Sequence, residues 1–180
     1  MNIRLLPERF DISGVCAELA EQPQAWGEYR WRTESPHSPH REAQDIWVRY
    51  NAIGNFGPCF NDPHESVWYP IAEKLPHTRS LSLQVAAAMG AHRVGGVLLT
   101  KIPAHSQIYP HVDRGWHATY YEKIAVQIQG NPEQFFCFDD AMLSALPGQS
   151  YEFNNQAPHW VTNDSDEDRI TLICCIRRVH

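Results

Sequence analysis

His111-Val-Asp113, His159 and Arg169 are the residues of this chain whose types and spacing could do chemistry together. Side chains two residues apart in an extended segment point the same way, so the His111 imidazole and the Asp113 carboxylate face one side. A distant histidine, His159, can complete a three-ligand face on one metal ion and leave the opposite positions open. Two histidines and a carboxylate with open positions are the donor set of non-haem Fe(II) oxygenases. Arg169 opens the strand-like run that follows the second histidine. If that strand lines the same pocket, its planar guanidinium is suited to gripping a carboxylate through two parallel bonds. A metal with a buried carboxylate anchor beside it points to a dicarboxylate co-substrate, for which 2-oxoglutarate is the natural candidate.

In a chain with ten histidines, His-x-Asp alone is a weak signal, and a surface histidine beside a solvated aspartate is its ordinary explanation. The neighbourhood strengthens it. Ile108-Tyr-Pro-His111 reads as a short strand, and Asn154-Asn-Gln-Ala-Pro158 is turn-like before a new strand at His159-Trp-Val161. The acidic turn Asp164-Ser-Asp-Glu-Asp168 leads into Arg169. Both ligand groups and the arginine therefore fall where strands meet loops, which is where barrel folds place their sites.

The elements that must hold them are mostly strands. Apolar and alternating runs predict strands near 45–50, 94–102, 108–112, 124–129, 133–138, 150–153, 159–161 and 169–177, with turns at Gly130-Asn-Pro132 and Leu146-Pro-Gly148. Helical spacing predicts a helix over 13–21 with Val15, Cys16 and Leu19 on one face. It predicts a second over 80–89, with Ser80 as N-cap, Leu81 and Val85 inward, and Gly90 as the stop. The expected architecture is a single domain, mainly β with flanking α-helices: a double-stranded β-helix (jelly-roll, cupin-like) core over 94–178, with a helical and mixed flank over 1–93.

These segments together resemble a known family. Gly95-Gly-Val-Leu-Leu-Thr-Lys-Ile102, Ile108-Tyr-Pro-His-Val-Asp113, Leu146-Pro-Gly148, Phe153-Asn-Asn155, His159 and Asn163-Asp-Ser-Asp-Glu-Asp-Arg169 are similar to the aspartyl/asparaginyl β-hydroxylase-like branch of the Fe(II)/2-oxoglutarate-dependent dioxygenases, which includes proline hydroxylases. The resemblance implies iron ligands at His111, Asp113 and His159. It implies that Arg169 pairs with the far carboxylate of 2-oxoglutarate, with the Thr100 hydroxyl as a second contact. Where such proteins show Arg-x-His on the strand after the His-x-Asp loop, this chain has Lys123-Ile-Ala125. Lys123 keeps the charge near the inner carboxylate but loses the fork geometry, and Ala125 removes a hydrogen-bonding group. The full His-Asp-His set makes the small-substrate hydroxylases the nearer comparison.

Composition narrows the classes further. At 180 residues, with 43% hydrophobic and 20% charged residues, the chain reads as one soluble domain. A net charge of −6 argues against broad nucleic-acid binding, which needs a basic face. No apolar run approaches a membrane span, and the N-terminal residues lack the pattern of a secretory leader. Five cysteines without CxxC spacing argue against a disulfide framework or a thiolate zinc site, so a reducing cytoplasm is expected.

Among the remaining candidates, Trp116 and His117 follow Asp113 closely enough to be expected at the pocket mouth as substrate contacts. Arg49 shares a strand face with Trp47 and either meets a substrate carboxylate or is an ordinary surface charge. His37 and His40 lie in a Ser/Pro-rich loop and are expected to be solvated.

The resulting expectation is an Fe(II)- and 2-oxoglutarate-dependent dioxygenase that consumes O2, hydroxylates an unactivated C–H bond of an amino acid or an Asp/Asn/Pro-like residue, and releases succinate and CO2. A cupin metalloenzyme without 2-oxoglutarate is the first rival, and Arg169 with Thr100 speaks against it. A non-catalytic jelly-roll binding module is the second, and the complete ligand set speaks against that. The partner is a small-molecule or peptide substrate.

Overall fold

The strand-dense second half of the chain folds into two antiparallel sheets laid face to face. In the computed structural model, which describes residues 1–57 and 59–179, the first half contributes β1 (Ile3–Arg9), α1 (Ser13–Glu21), β2 (Gln44–Tyr50), β3 (Val67–Trp68) and α2 (Pro76–Ala88). The second contributes β4 (Ala91–Ile102), β5 (Ser106–His111), α3 (Trp116–Tyr120), β6 (Glu122–Gln129), β7 (Gln134–Phe138), β8 (Ala141–Leu143), β9 (Gln149–Phe153), β10 (His159–Asn163) and β11 (Arg169–Arg178). The large sheet runs β1-β9-β6-β11-β4-β2-β3 and the small one β5-β10-β7-β8. From β4 onward the chain crosses between the sheets repeatedly, which is the double-stranded β-helix expected. Residues before β4 widen the large sheet at both edges, with β1 on one side and β2 and β3 on the other.

Both faces of the large sheet are covered, and this explains the nearly unbroken burial of β4 and β11. Val97, Leu99, Ile124 and Leu172 pack under the helices with Leu81 and Val85. Ile102, Ala125, Tyr151 and Phe153 face inward against Ile108, Phe136 and Val161 of the small sheet.

The helices show where local signals fall short. α1 has the expected bounds, but Cys16 is exposed and the buried polar position is Glu18. α2 begins at Pro76, four residues before the expected Ser80 N-cap, and its N-cap residue Leu75 supplies no side-chain bond. The cap comes from α1 instead. The Glu18 carboxylate accepts from the amides of His77 and Thr78 and, at 2.9 Å, from the Thr78 hydroxyl. Two of the amides left unbonded in the first helical turn are thereby satisfied. Close approach of the two helices requires Gly14, where a Cβ would lie 2.5 Å from the His77 ring.

The long connection between α1 and β2 is tied to the small sheet. The Tyr109 amide donates to the Pro39 carbonyl at 2.9 Å and the Gln107 amide to Glu42 at 3.0 Å. The Tyr109 hydroxyl also donates to Glu42, and Arg41 lies 3.4 Å over the Tyr109 ring. This loop thereby covers the outer edge of β5.

Candidate metal centre

His111 closes β5 and His159 opens β10, and the two are direct cross-strand partners. That register sets their rings 4.3 Å apart, centroid to centroid. Asp113 follows in the loop, where its amide donates to the Asn155 carbonyl at 3.0 Å, and the Asn155 side chain donates to the Ala118 carbonyl. One ligand atom from each of His111, Asp113 and His159 lies within 4.8 Å of the others.

The hydrogen bonds of the rings decide which atoms are presented. His111 Nδ1 lies 2.8 Å from the Tyr109 carbonyl and His159 Nδ1 lies 2.9 Å from that of Ala157. A carbonyl only accepts, so each Nδ1 carries the proton and each Nε2 is left as a lone-pair donor. Burial lowers the His159 pKa to about 4, partly offset by the Ala157 bond, which keeps the imidazole neutral. Burial would raise the Asp113 carboxyl, but the adjacent Lys123 ammonium outweighs it and holds the group well below the usual carboxylate range. Two imidazole nitrogens and one carboxylate oxygen fit a divalent first-row metal.

Beyond the ligands lies a cavity between the sheets, and Arg169 stands in it with Thr171 and Ile173 from the same face of β11. Arg169 is only 4% exposed. Its guanidinium donates to the Thr171 hydroxyl at 2.7 Å and to the Tyr151 hydroxyl at 3.0 Å, and no carboxylate pairs with it among the described residues. Thr100 lines this cavity, but its hydroxyl is already engaged, accepting from Arg32 at 2.7 Å and donating to Asp45 at 3.1 Å. The hydroxyls that accept from Arg169 are those of Thr171 and Tyr151, with Thr100 on the wall of the same cavity. Lys123 lines the same cavity and forms an ion pair with Asp113.

A second cavity adjoins the first across Lys123, Asp113, Arg32 and His40. His117 lines it, buried, with Nε2 accepting the Gly96 amide at 3.0 Å. Trp116 turns away instead, stacked 5.0 Å from Tyr120. Arg49 lies elsewhere, 4.9 Å over Trp68 and donating to the Val94 carbonyl. A register shift in the β2–β4 pairing between Trp47 and Arg49 breaks the shared face that alternation alone predicts.

The aspartyl/asparaginyl β-hydroxylase family model matches residues 20–179, nearly the whole chain. The chain belongs to that family. This hydroxylase-family chain gives no match among curated proteins. Its fold is that of solved oxygenases. A 2OG-Fe(II) oxygenase-family oxidoreductase from Burkholderia pseudomallei superimposes with TM-score 0.65 at 13% identity, over 99% of this chain and 86% of that one. A Trichoplax adhaerens prolyl hydroxylase, solved with a peptide fragment, gives 0.62 at 8% identity, over 97% and 83%. A Pseudomonas putida prolyl-4-hydroxylase gives 0.52 at 16% identity, over 99% and 94%. The protein is an oxidoreductase of the hydroxylase type, and its His-Asp-His cluster is a candidate metal centre.

Sequence reasoning missed two residues of this hydroxylase's site, Arg32 and His40. Arg32 holds Asp45 bidentately at 2.7 and 2.9 Å. Burial opposes its charge, but the Asp45 carboxylate outweighs that and raises its pKa. His40 is buried rather than solvated, with its ring 4.5 Å from that of His111, and burial lowers its pKa well below the ordinary value. One signal was available. Asp45 alternates with the core residues Ile46 and Val48, so it faces the barrel interior and needs a cation there.

Proposed function

We propose that His111, Asp113 and His159 hold the Fe(II), that Arg169 holds the far carboxylate of 2-oxoglutarate, and that the protein hydroxylates a C–H bond of a small amino-acid-like or peptide substrate. The observation that carries this is Arg169, a buried guanidinium without an acid partner among the described residues, in the cavity that also contains the three ligands. A buried charge needs a counter-charge, and a dicarboxylate reaching inward from the metal supplies one. Thr171 and Tyr151 accept from the guanidinium and orient its fork. Lys123 stands between the two cavities, where it balances the inner carboxylate. Iron supplies the oxidising chemistry once bound. The protein's own residues position the acid, keep the His159 imidazole neutral and exclude water from the inter-sheet cavity. A cytoplasmic location belongs to the same reading, supported by five free thiols. So does the partition into a core over 94–178 and a flank over 1–93.

The test is succinate formation. Fe(II)-loaded protein with 2-oxoglutarate and O2 is expected to release succinate, increasing in the presence of a productive amino acid or peptide. Protein that binds Fe(II) but neither binds nor consumes 2-oxoglutarate would favour the cupin alternative.

A further inference from the structure

The second cavity is lined by an unusual set of groups for a protein with a net charge of −6. Arg32, Arg114 and Lys123 bring three cations to the lining, of which Arg32 is paired with Asp45 and Lys123 with Asp113. Arg32 is fixed in place: Nε and Nη2 are held by Asp45, and Nη2 also reaches Thr100, while Nη1 has no protein partner among the described residues. Arg114 is exposed, with no pairing acid among the described residues. Trp47 adds an independent sign. It lines the cavity, and its Nε1–H is buried without a hydrogen-bond partner. A buried donor left unmade is costly, and a ligand acceptor removes that cost.

The other walls are apolar or aromatic. Tyr50, Leu98 and Ile173 line the cavity, and Trp31 and Phe60 pack behind Trp47 and Tyr50. Gly96 forms part of the lining, where a Cβ would lie 3.1 Å from Tyr50 and 3.2 Å from His117, so no side chain occupies that position.

We propose that this cavity binds the substrate by a free carboxylate, held by Arg32 Nη1, the Trp47 indole N–H and Arg114, so that the substrate is a small free acid with an apolar body and not an internal residue of a peptide. This rests on the metal and 2-oxoglutarate reading above. An internal peptide residue has an amide in place of the carboxylate. It would leave Arg114 and the free Nη1 of Arg32 facing a neutral carbonyl, whereas a carboxylate both gives a charged acceptor and satisfies the orphan indole donor.

The experiment uses full-length protein loaded with Mn(II) and saturated with 2-oxoglutarate. It is titrated calorimetrically with the twenty free L-amino acids, their carboxamides, and tripeptides capped at both ends. At least one free acid is expected to bind about tenfold or more tightly than its amide, the equivalent of one charge-assisted bond. Trp47→Phe, which removes the donor and keeps an aromatic ring, and Arg114→Gln at the exposed position should each weaken that acid several-fold. Both should leave 2-oxoglutarate binding unchanged. Arg32→Gln should weaken the acid most, and the two milder variants stand if it fails to fold. Equal binding of acid and amide, tighter binding of capped peptides, or no binding of any free acid overturns the proposal. Failure of 2-oxoglutarate itself to bind the Mn(II)-loaded parent would instead overturn the underlying reading, so the two failures are distinguishable.

Discussion

Arg169 carries the co-substrate assignment because it is a desolvated cation whose neighbours are hydroxyls rather than acids. Removing one partner of a buried, hydrogen-bonded charge pair costs about 3–5 kcal/mol, or roughly two to four orders of magnitude in affinity. Arg169→Ala should raise the 2-oxoglutarate concentration for half-maximal succinate release by about that factor while Mn(II) binding persists. Arg169→Lys should recover only part, since an ammonium cannot reproduce the fork. Parent-like behaviour of Arg169→Ala would make the residue structural. His111→Ala removes one of the three proposed ligands. Its loss of metal affinity, measured by Mn(II) titration, should exceed the roughly 10–100-fold seen when only a ligand's supporting hydrogen bond is lost. These residues were legible in the sequence because a spacing of two and a strand following a turn translate directly into direction. Arg32 and His40 were not, because a loop has no period and their partners, Asp45 and His111, lie in other segments.

At the scale of elements, the link between α1 and α2 is a carboxylate seated on a helix N-terminus. Glu18→Ala should leave the buried amides of His77 and Thr78 unbonded and destabilise the fold by about 1–3 kcal/mol. Denaturant unfolding measures the loss, and faster hydrogen exchange at those two amides localises it. Unchanged exchange there would show that Glu18 does not cap α2. The same contact explains why the start of α2 could not be read locally. Ser80 has the right chemistry for a cap, but the acceptor used lies on another helix, and Pro76 is already suited to the first turn. Strands fared better than helices, since the expected positions of β4 to β7 and β9 to β11 rest on alternation and turns. β1, β3 and β8 escaped notice because Pro7 interrupts β1 and the other two span only two and three residues.

For the whole molecule, buried neutral imidazoles couple stability to pH. Burial, with the nearby Lys123 and His64 charges, lowers the His117 pKa to about 3, and its Nε2 must stay unprotonated to accept the Gly96 amide. The unfolded chain binds a proton near the ordinary histidine value and the folded chain does not. Stability is therefore fully present above about pH 6.5 and falls as pH drops toward 3. Between about pH 7 and about pH 4.5, His117 should account for about 2–3 kcal/mol of lost stability. His117→Gln should flatten that dependence in metal-free protein, as read from unfolding midpoints across the range. An equally steep variant would place the titration elsewhere.

The loop that carries Arg32 and His40 also has an effect on the far side of β5. That strand is the outer member of the small sheet, and the amides it turns outward at Gln107 and Tyr109 are spoken for by Glu42 and Pro39. An incoming extended chain would find the Gln107 and Tyr109 donors already taken and could not pair with them. The strand bearing His111 is thus closed to β-augmentation at those two positions.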